Sequence, residues 1–167
     1  MDRFSNKEEI KMDLKKMLDE GKFIEFADEV KRNRKKAADA LGDLFNDVQG
    51  KIEKSDIQQI EGDDSVTHSC VIGCKIAVDG VSTTKIRKFL DKFNEIKEKG
   101  EKFSVNDVAK LKIYLAYAVG RENKLKEFGK VMEMLLNKVN ADYKNFKIVS
   151  QYLEGIVAYH KLAGGKD

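Results

Sequence analysis

The chain has no proline, only two histidines and only two cysteines in 167 residues. Each shortage excludes something. Two histidines cannot build a histidine-rich metal centre. A single close cysteine pair, Cys70 and Cys74, cannot staple a disulfide scaffold, and in a reducing compartment both are expected as free thiols. The absence of proline is compatible with long uninterrupted helices, whose interiors tolerate it poorly. No apolar run approaches the roughly 20 residues of a membrane span, and the start, MDRFSNKEEIKMDLKK, lacks the apolar stretch of a secretory signal. A cytoplasmic protein with no membrane partner is expected. No P-loop, G-x-G-x-x-G, HExxH or G-x-S-x-G motif occurs, so nothing points to catalysis.

What is present is charge, at 37% of residues, against 41% apolar. That mixture suits amphipathic helices with wide solvated faces. The length suits one domain. The charge is unevenly spread. Residues 1–54 hold 13 Lys/Arg against 13 Asp/Glu, residues 55–81 hold 1 against 5, and residues 82–167 hold 18 against 11. A basic C-terminal half is where an anionic partner is sought first.

Helical periodicity predicts an all-α antiparallel bundle of about five to six helices. Ser5 and Glu8 form an S-x-x-E capping box before the stripe Ile10, Leu14, Met17 and Leu18, which stops at Gly21. A longer amphipathic stretch runs from Phe23 to Ile52. It contains KRNRKK at Lys31 to Lys36, read as a solvated helix face in preference to a phosphate-contacting patch. Residues 55–81, with Gly62, Asp63, Asp64, Gly73, Asp79 and Gly80, break the pattern and read as an acidic linker or irregular insertion, disordered in part, with room for a short hairpin. Thr83 or Thr84 caps the next helix, which carries Ile86, Phe89, Leu90, Phe93 and Ile96 and ends at Gly100. Ser104 or Asn106 caps another, through Leu111, Leu115 and Gly120. Two more follow, through Phe128 to Val139 and Phe146 to Tyr159, the last stopping at Gly164 and Gly165. Short loops between them predict antiparallel neighbours.

The candidate binding residues are basic. Lys85, Lys88 and Lys92 stand at i, i+3 and i+7, on one face of a helix that buries Ile86, Phe89 and Phe93. Arg87 flanks that row. Arg121 and Lys124 lie between two helices, near an N-terminus whose free N–H groups favour an anion. Lys110 and Lys112 extend the positive charge. Mutual repulsion along Lys85, Lys88 and Lys92 favours a ligand over mere solubility charge. Tyr114, Tyr117, Tyr152 and Tyr159 are candidates for stacking on bases, though at helical spacing such residues more often edge a core. His160 is read as an RNA contact or a pH-sensitive cap at a helix C-terminus. His68, Cys70 and Cys74, with Asp64 as a fourth ligand, make a zinc site conceivable, but the spacing fits no strong zinc signature; no metal and no cofactor are expected.

The segments TTKIRKFLDKF (Thr83 to Phe93), LAYAVGR (Leu115 to Arg121) and YLEGIVAYHKLAGGKD (Tyr152 to Asp167) resemble the small subunit of type III-A CRISPR interference complexes, the Csm effector. The resemblance covers roughly residues 82–167, with AYHKLAGGKD its strongest piece; residues 55–81 look like an insertion relative to it. It implies an all-helical subunit without a catalytic site, stacked in a short filament. Such a subunit holds target RNA, paired to the guide RNA, through basic side chains. A neighbouring backbone subunit cuts that RNA, and a large polymerase-like subunit carries signalling and DNase activities. Carried onto this sequence, the RNA contacts fall on Lys85, Arg87, Lys88, Arg121 and Lys124, with Lys92 and Lys112 added from the charge pattern and Ser82 to Thr84 as structural caps. The long N-terminal helices have apolar surface enough for self-association as a dimer or filament. Competing readings are a structural helical adaptor for acidic proteins, a metal-dependent nuclease using His68, Cys70 and Cys74, and a DNA-binding helical domain.

Overall fold

The computed structural model describes the backbone of residues 3–167 and the side-chain surroundings from Asn6 onward. Eight α-helices and no strand occur among the described residues: α1 Arg3–Asp19, α2 Phe23–Arg32, α3 Arg34–Lys54, α4 Asp63–Val78, α5 Thr83–Lys97, α6 Val105–Arg121, α7 Lys126–Asn137 and α8 Tyr143–Leu162. Short 3₁₀ turns at Ile57–Ile60, Gly100–Lys102 and Asn123–Leu125 join some of them. The all-α bundle expected from periodicity is what forms, with more helices than the five to six expected. The long stretch from Phe23 divides at Asn33, whose backbone leaves the helical region at φ −125°, ψ 43°. α1 is already helical at Arg3, so Ser5 sits inside its first turn rather than before it; the Ser5 side chain, and with it the expected capping box, lies outside the described residues.

The largest correction concerns residues 55–81. They are not an irregular insertion. They contain α4, which is buried nearly all round: Ser65, His68, Ser69, Cys70, Val71, Ile72, Gly73, Cys74, Ile76 and Ala77 are all inaccessible. A helix covered on every side has no need of an amphipathic period, so a search for a single apolar face passes over it. Its small residues serve close approach. A Cβ on Gly73 would lie 2.6 Å from the Ile156 carbonyl oxygen and 2.9 Å from the His160 nitrogen. On the facing helix, a Cβ on Gly155 would lie 2.2 Å from Ser69 Oγ. Here the backbones of α4 and α8 come as near as side chains allow.

These contacts also fix direction. His68 meets Tyr152, Ser69 meets Gly155 and Gly73 meets Ile156 and His160, so α4 and α8 run parallel. Lys7 with Asp39 and Lys11 with Asp43 set α1 parallel to α3 in the same way. The antiparallel order expected from short loops holds for the sequential pairs α5/α6 and α6/α7, and for α5 against α8. Phe89 stacks on Tyr114, Gly129 faces Val119 and Phe93 stacks on Phe146. The parallel pairs join helices that are not consecutive, which loop length does not constrain. One cluster of buried side chains runs through all eight helices, from Leu14 in α1 to Ile156 in α8.

Candidate nucleic-acid interface

The basic surface rests on how α5 and α6 start. Ser82 is the N-cap residue of α5, with extended backbone but no capping bond from its side chain. Thr83, expected as a cap, is instead wholly buried, and its hydroxyl lies 3.3 Å from His160 Nδ1. His160 Nε2 lies 2.7 Å from the Val81 carbonyl. A carbonyl can only accept, so Nε2 carries the proton, and neutral Nδ1 accepts from the Thr83 hydroxyl. Burial pushes the His160 pKa down, consistent with a neutral ring. His160 is therefore a buried tie between helices and is not available to RNA. α6 starts with a reciprocal capping box: the Asp107 carboxylate accepts from the Ser104 backbone N–H at 2.9 Å, as Ser104 receives the N–H of Asp107. Lys99 adds an ammonium 2.7 Å from Asp107, which, with the Ser104 donors, holds that carboxyl below its usual range.

With those starts fixed, α5 and the end of α6 enclose a groove of about 330 Å³. Lys85 and Lys88 line one wall, Tyr114, Tyr117 and Arg121 the other, and Glu122 closes one end. Residues some 36 positions apart in sequence thus form one cationic concavity. The Arg121 guanidinium carbon stands 5.7 Å from the centre of the Tyr117 ring. Lys92 Nζ stands 4.6 Å from the Tyr114 ring centre, and Lys92 lines an adjoining depression with Lys99, Lys110 and Asp107. Cations over aromatic faces are attracted by the ring quadrupole.

Of the seven basic residues singled out in the sequence, three, Lys85, Lys88 and Arg121, line the groove, and Lys92 borders it. Arg87 is exposed on α5 and Lys112 half-buried on α6, both outside the lining. Lys124 is elsewhere: its Nζ lies 3.6 Å from where a Gly80 Cβ would stand, beside Lys75, Asp79 and Glu127. The row of unpaired lysines needs amendment as well, because Lys85 forms an ion pair with Glu122. Arg121 lies in the last turn of α6, not at a helix N-terminus; a cation there complements the negative end of the dipole.

The other expectations divide. Tyr152 is fully buried. Its hydroxyl donates to the Ile60 carbonyl at 2.7 Å, leaving it to accept from His68 Nδ1–H at 2.9 Å, so it cannot stack on a base. Tyr159 is partly buried against Phe23. Tyr117, at 63% exposure, is the open ring. His68, Cys70 and Cys74 are on the buried helix rather than a loop. His68 is committed to Tyr152, Cys70 Sγ lies 3.8 Å from the Phe23 carbonyl, and Asp64 is exposed at the helix start. Burial, then the neighbouring Cys74, pushes the Cys70 thiol pKa well up, which opposes the thiolate that metal binding requires. Within KRNRKK the reading as a purely solvated face holds only in part. Arg32 pairs with Glu29 at 3.0 Å, but Arg34 is half-buried and donates to the Ala77 carbonyl at the end of α4. No helix among the described residues is long and apolar enough to cross a membrane.

The family model described as Csm2 Type III-A matches residues 59–166 of this chain. The chain belongs to that family. Membership makes it a small subunit of the type III-A Csm complex, as the resemblance in its C-terminal segments implied. The match reaches back through α4, so residues 59–81 lie within the family pattern and not outside it. The chain is also 33% identical over 94 residues to "CRISPR system Cms protein Csm2" of Streptococcus thermophilus, an alignment covering 52% of this chain and 76% of that protein. α4 to α8, which hold the groove and its support, all lie in the matched span.

Proposed function

We propose that this protein is the non-catalytic subunit of a type III-A effector that holds target RNA, paired to the guide RNA, through its phosphates. The observation that carries this reading is the convergence of Lys85, Lys88 and Arg121 on one groove from two helices. Lys88 and Arg121 have no carboxylate partner among the described residues, while Glu122 engages Lys85 alone. Lys92 borders this centre in the adjoining depression; Arg87 and Lys112 add positive charge to the same two helices away from the lining, with Lys124 outlying. Phosphate contacts carry no base identity, which suits a subunit whose target is chosen by base pairing. One copy making a few contacts binds weakly; several copies in a filament, held by the backbone and large subunits, gain through effective concentration.

The test is fluorescence anisotropy of an unstructured single-stranded RNA of about 30 nucleotides at several salt concentrations, a strand length chosen to seat several copies. Each phosphate contact contributes roughly −0.7 to the slope of log K against log salt on a single strand. Lys88→Ala and Arg121→Ala should each weaken binding and flatten the slope by about that amount. Unchanged affinity and slope in both variants would instead support an adaptor whose basic face meets acidic protein. Preference for duplex DNA would support a DNA-binding domain.

A further inference from the structure

Tyr117 stands out against the rest of the surface. Among the described residues it is one of five large apolar or aromatic side chains left more than half exposed, the others being Met12, Ile24, Val105 and Ile113. Tyr117 lines a concavity that also carries cations. Its ring has one face toward Arg121, whose guanidinium carbon is 5.7 Å from the ring centre. The groove holds about 330 Å³, at the small end of the roughly 300–1,000 Å³ typical of small-molecule sites. Its lining pairs an aromatic surface with charge: Tyr114, Tyr117 and Arg121 on one wall and Lys88 opposite. A nucleotide has the same division, a flat π surface joined to a phosphate. Proteins that hold single strands use aromatic platforms beside cations for that reason.

We propose that the groove between α5 and α6 receives one unstacked nucleotide of an RNA strand, its base laid against Tyr117 and its phosphate held by Lys88 and Arg121. This rests on the RNA-holding reading above and goes beyond it, since phosphate contacts alone require no base. Arg121 serves both parts of the ligand, because a guanidinium can lie along a π face and still direct N–H groups at phosphate oxygens. Glu122 also lines the groove and is paired with Lys85, which leaves Lys88 and Arg121 as the cations free for the phosphate. Any base offers a π face, so the site tolerates sequence.

The experiment compares the full chain with Tyr117→Ala, Tyr117→Phe and Lys88→Ala. The probes are labelled oligouridine and a ribose-phosphate strand of equal length without bases. Tyr117 is exposed, so neither substitution at it should disturb the fold, and circular dichroism checks this. Base–aromatic stacking is worth enough that Tyr117→Ala should weaken oligouridine binding about five-fold or more. It should leave the salt slope unchanged, because no counterion is displaced by a ring. Tyr117→Phe should bind as the unmodified chain does, and the strand without bases should not distinguish the variants. If Tyr117→Ala binds oligouridine normally while Lys88→Ala weakens it, the stacking site is wrong and the phosphate reading stands. If Tyr117→Ala weakens both strands equally, the ring acts only through Arg121, and the base-stacking proposal is overturned. If the unmodified chain binds neither strand at low salt, both readings fail.

Discussion

Gly73→Ala should destabilise this protein although alanine is the better helix former. In an open helical position the exchange gains about 1 kcal/mol. At Gly73 the added methyl would meet the Ile156 carbonyl oxygen at 2.6 Å and the His160 nitrogen at 2.9 Å. Both are backbone atoms in α8, so no rotamer change relieves them. Ordinary contact begins near 3.4 Å, and α8 must therefore retreat by most of an ångström. A gap of that size forfeits roughly a quarter to a half of each dispersion contact along the seam, where His68 meets Tyr152, Ser69 meets Gly155 and Gly73 meets Ile156 and Tyr159. Overpacking of this kind costs typically 1–3 kcal/mol. With rigid backbone on the receiving side the upper end applies, and subtracting the helical gain leaves a loss of about 2 kcal/mol. For a chain of this size that lowers Tm by roughly 4–8 °C. Gly50→Ala is the matched control: Gly50 is also helical, in α3, and a Cβ there meets nothing within 4 Å. It should raise Tm by a few degrees. Thermal unfolding followed by far-UV circular dichroism reads both. The close-approach argument is refuted if Gly73→Ala is as stabilising as Gly50→Ala.

Two other expectations concern stability. His68 and His160 are both buried, and desolvation pushes both pKa values down. Below about pH 6.5 the unfolded chain takes up protons that the folded chain refuses, so stability should fall as pH drops, by up to about 1.4 kcal/mol per pH unit for each histidine. Urea unfolding at pH 7.5, 6.5 and 5.5 measures this, and a flat profile would show that the rings protonate in place. Arg34→Ala should cost about 1.5–3 kcal/mol, because a charged donor to the Ala77 carbonyl is lost. Lys35→Ala, one position along on the exposed face, should be near neutral in the same urea series.

The helices from Thr83 onward were legible because each shows one apolar stripe and one solvated face, and the residues inside are those the stripe names: Phe89, Leu111, Met132 and Leu153. α4 was illegible for the opposite reason. Its partners on every side remove the contrast that periodicity detects, and Gly62, Asp63 and Asp64 imitate a loop. The break at Asn33 carries no proline or glycine to mark it. At the groove, Lys85, Lys88 and Arg121 were named from charge, but their meeting was not visible, since it depends on how α5 lies against α6. The pairing of Lys85 with Glu122 spans 37 positions and has no local signal. The Ser104–Asp107 capping box is visible as an S-x-x-D pattern, of which Ser104 alone carries the usual cap signal, because the second partner is ordinarily Glu or Gln.

The segment from His160 to Lys166 has a consequence for how any map of RNA contacts would be interpreted. Gly165 packs so tightly on the His160 ring that a Cβ would stand 2.1 Å from it, and Gly165 N–H donates to the His160 carbonyl at 2.8 Å. Thr83 N–H donates to the Lys166 carbonyl at 2.9 Å. The residues that most plainly mark the family in this sequence thus clasp the start of α5, two residues before Lys85. An alanine scan scored by RNA affinity would then report His160, Gly165 and Thr83 as hits, although all three are buried beyond reach of any strand. Their signature would be a fall in melting temperature alongside the fall in affinity, with the salt slope intact. Specificity of the scan would lie in reading those three quantities jointly, since affinity alone would mistake the fastening of the groove for its lining.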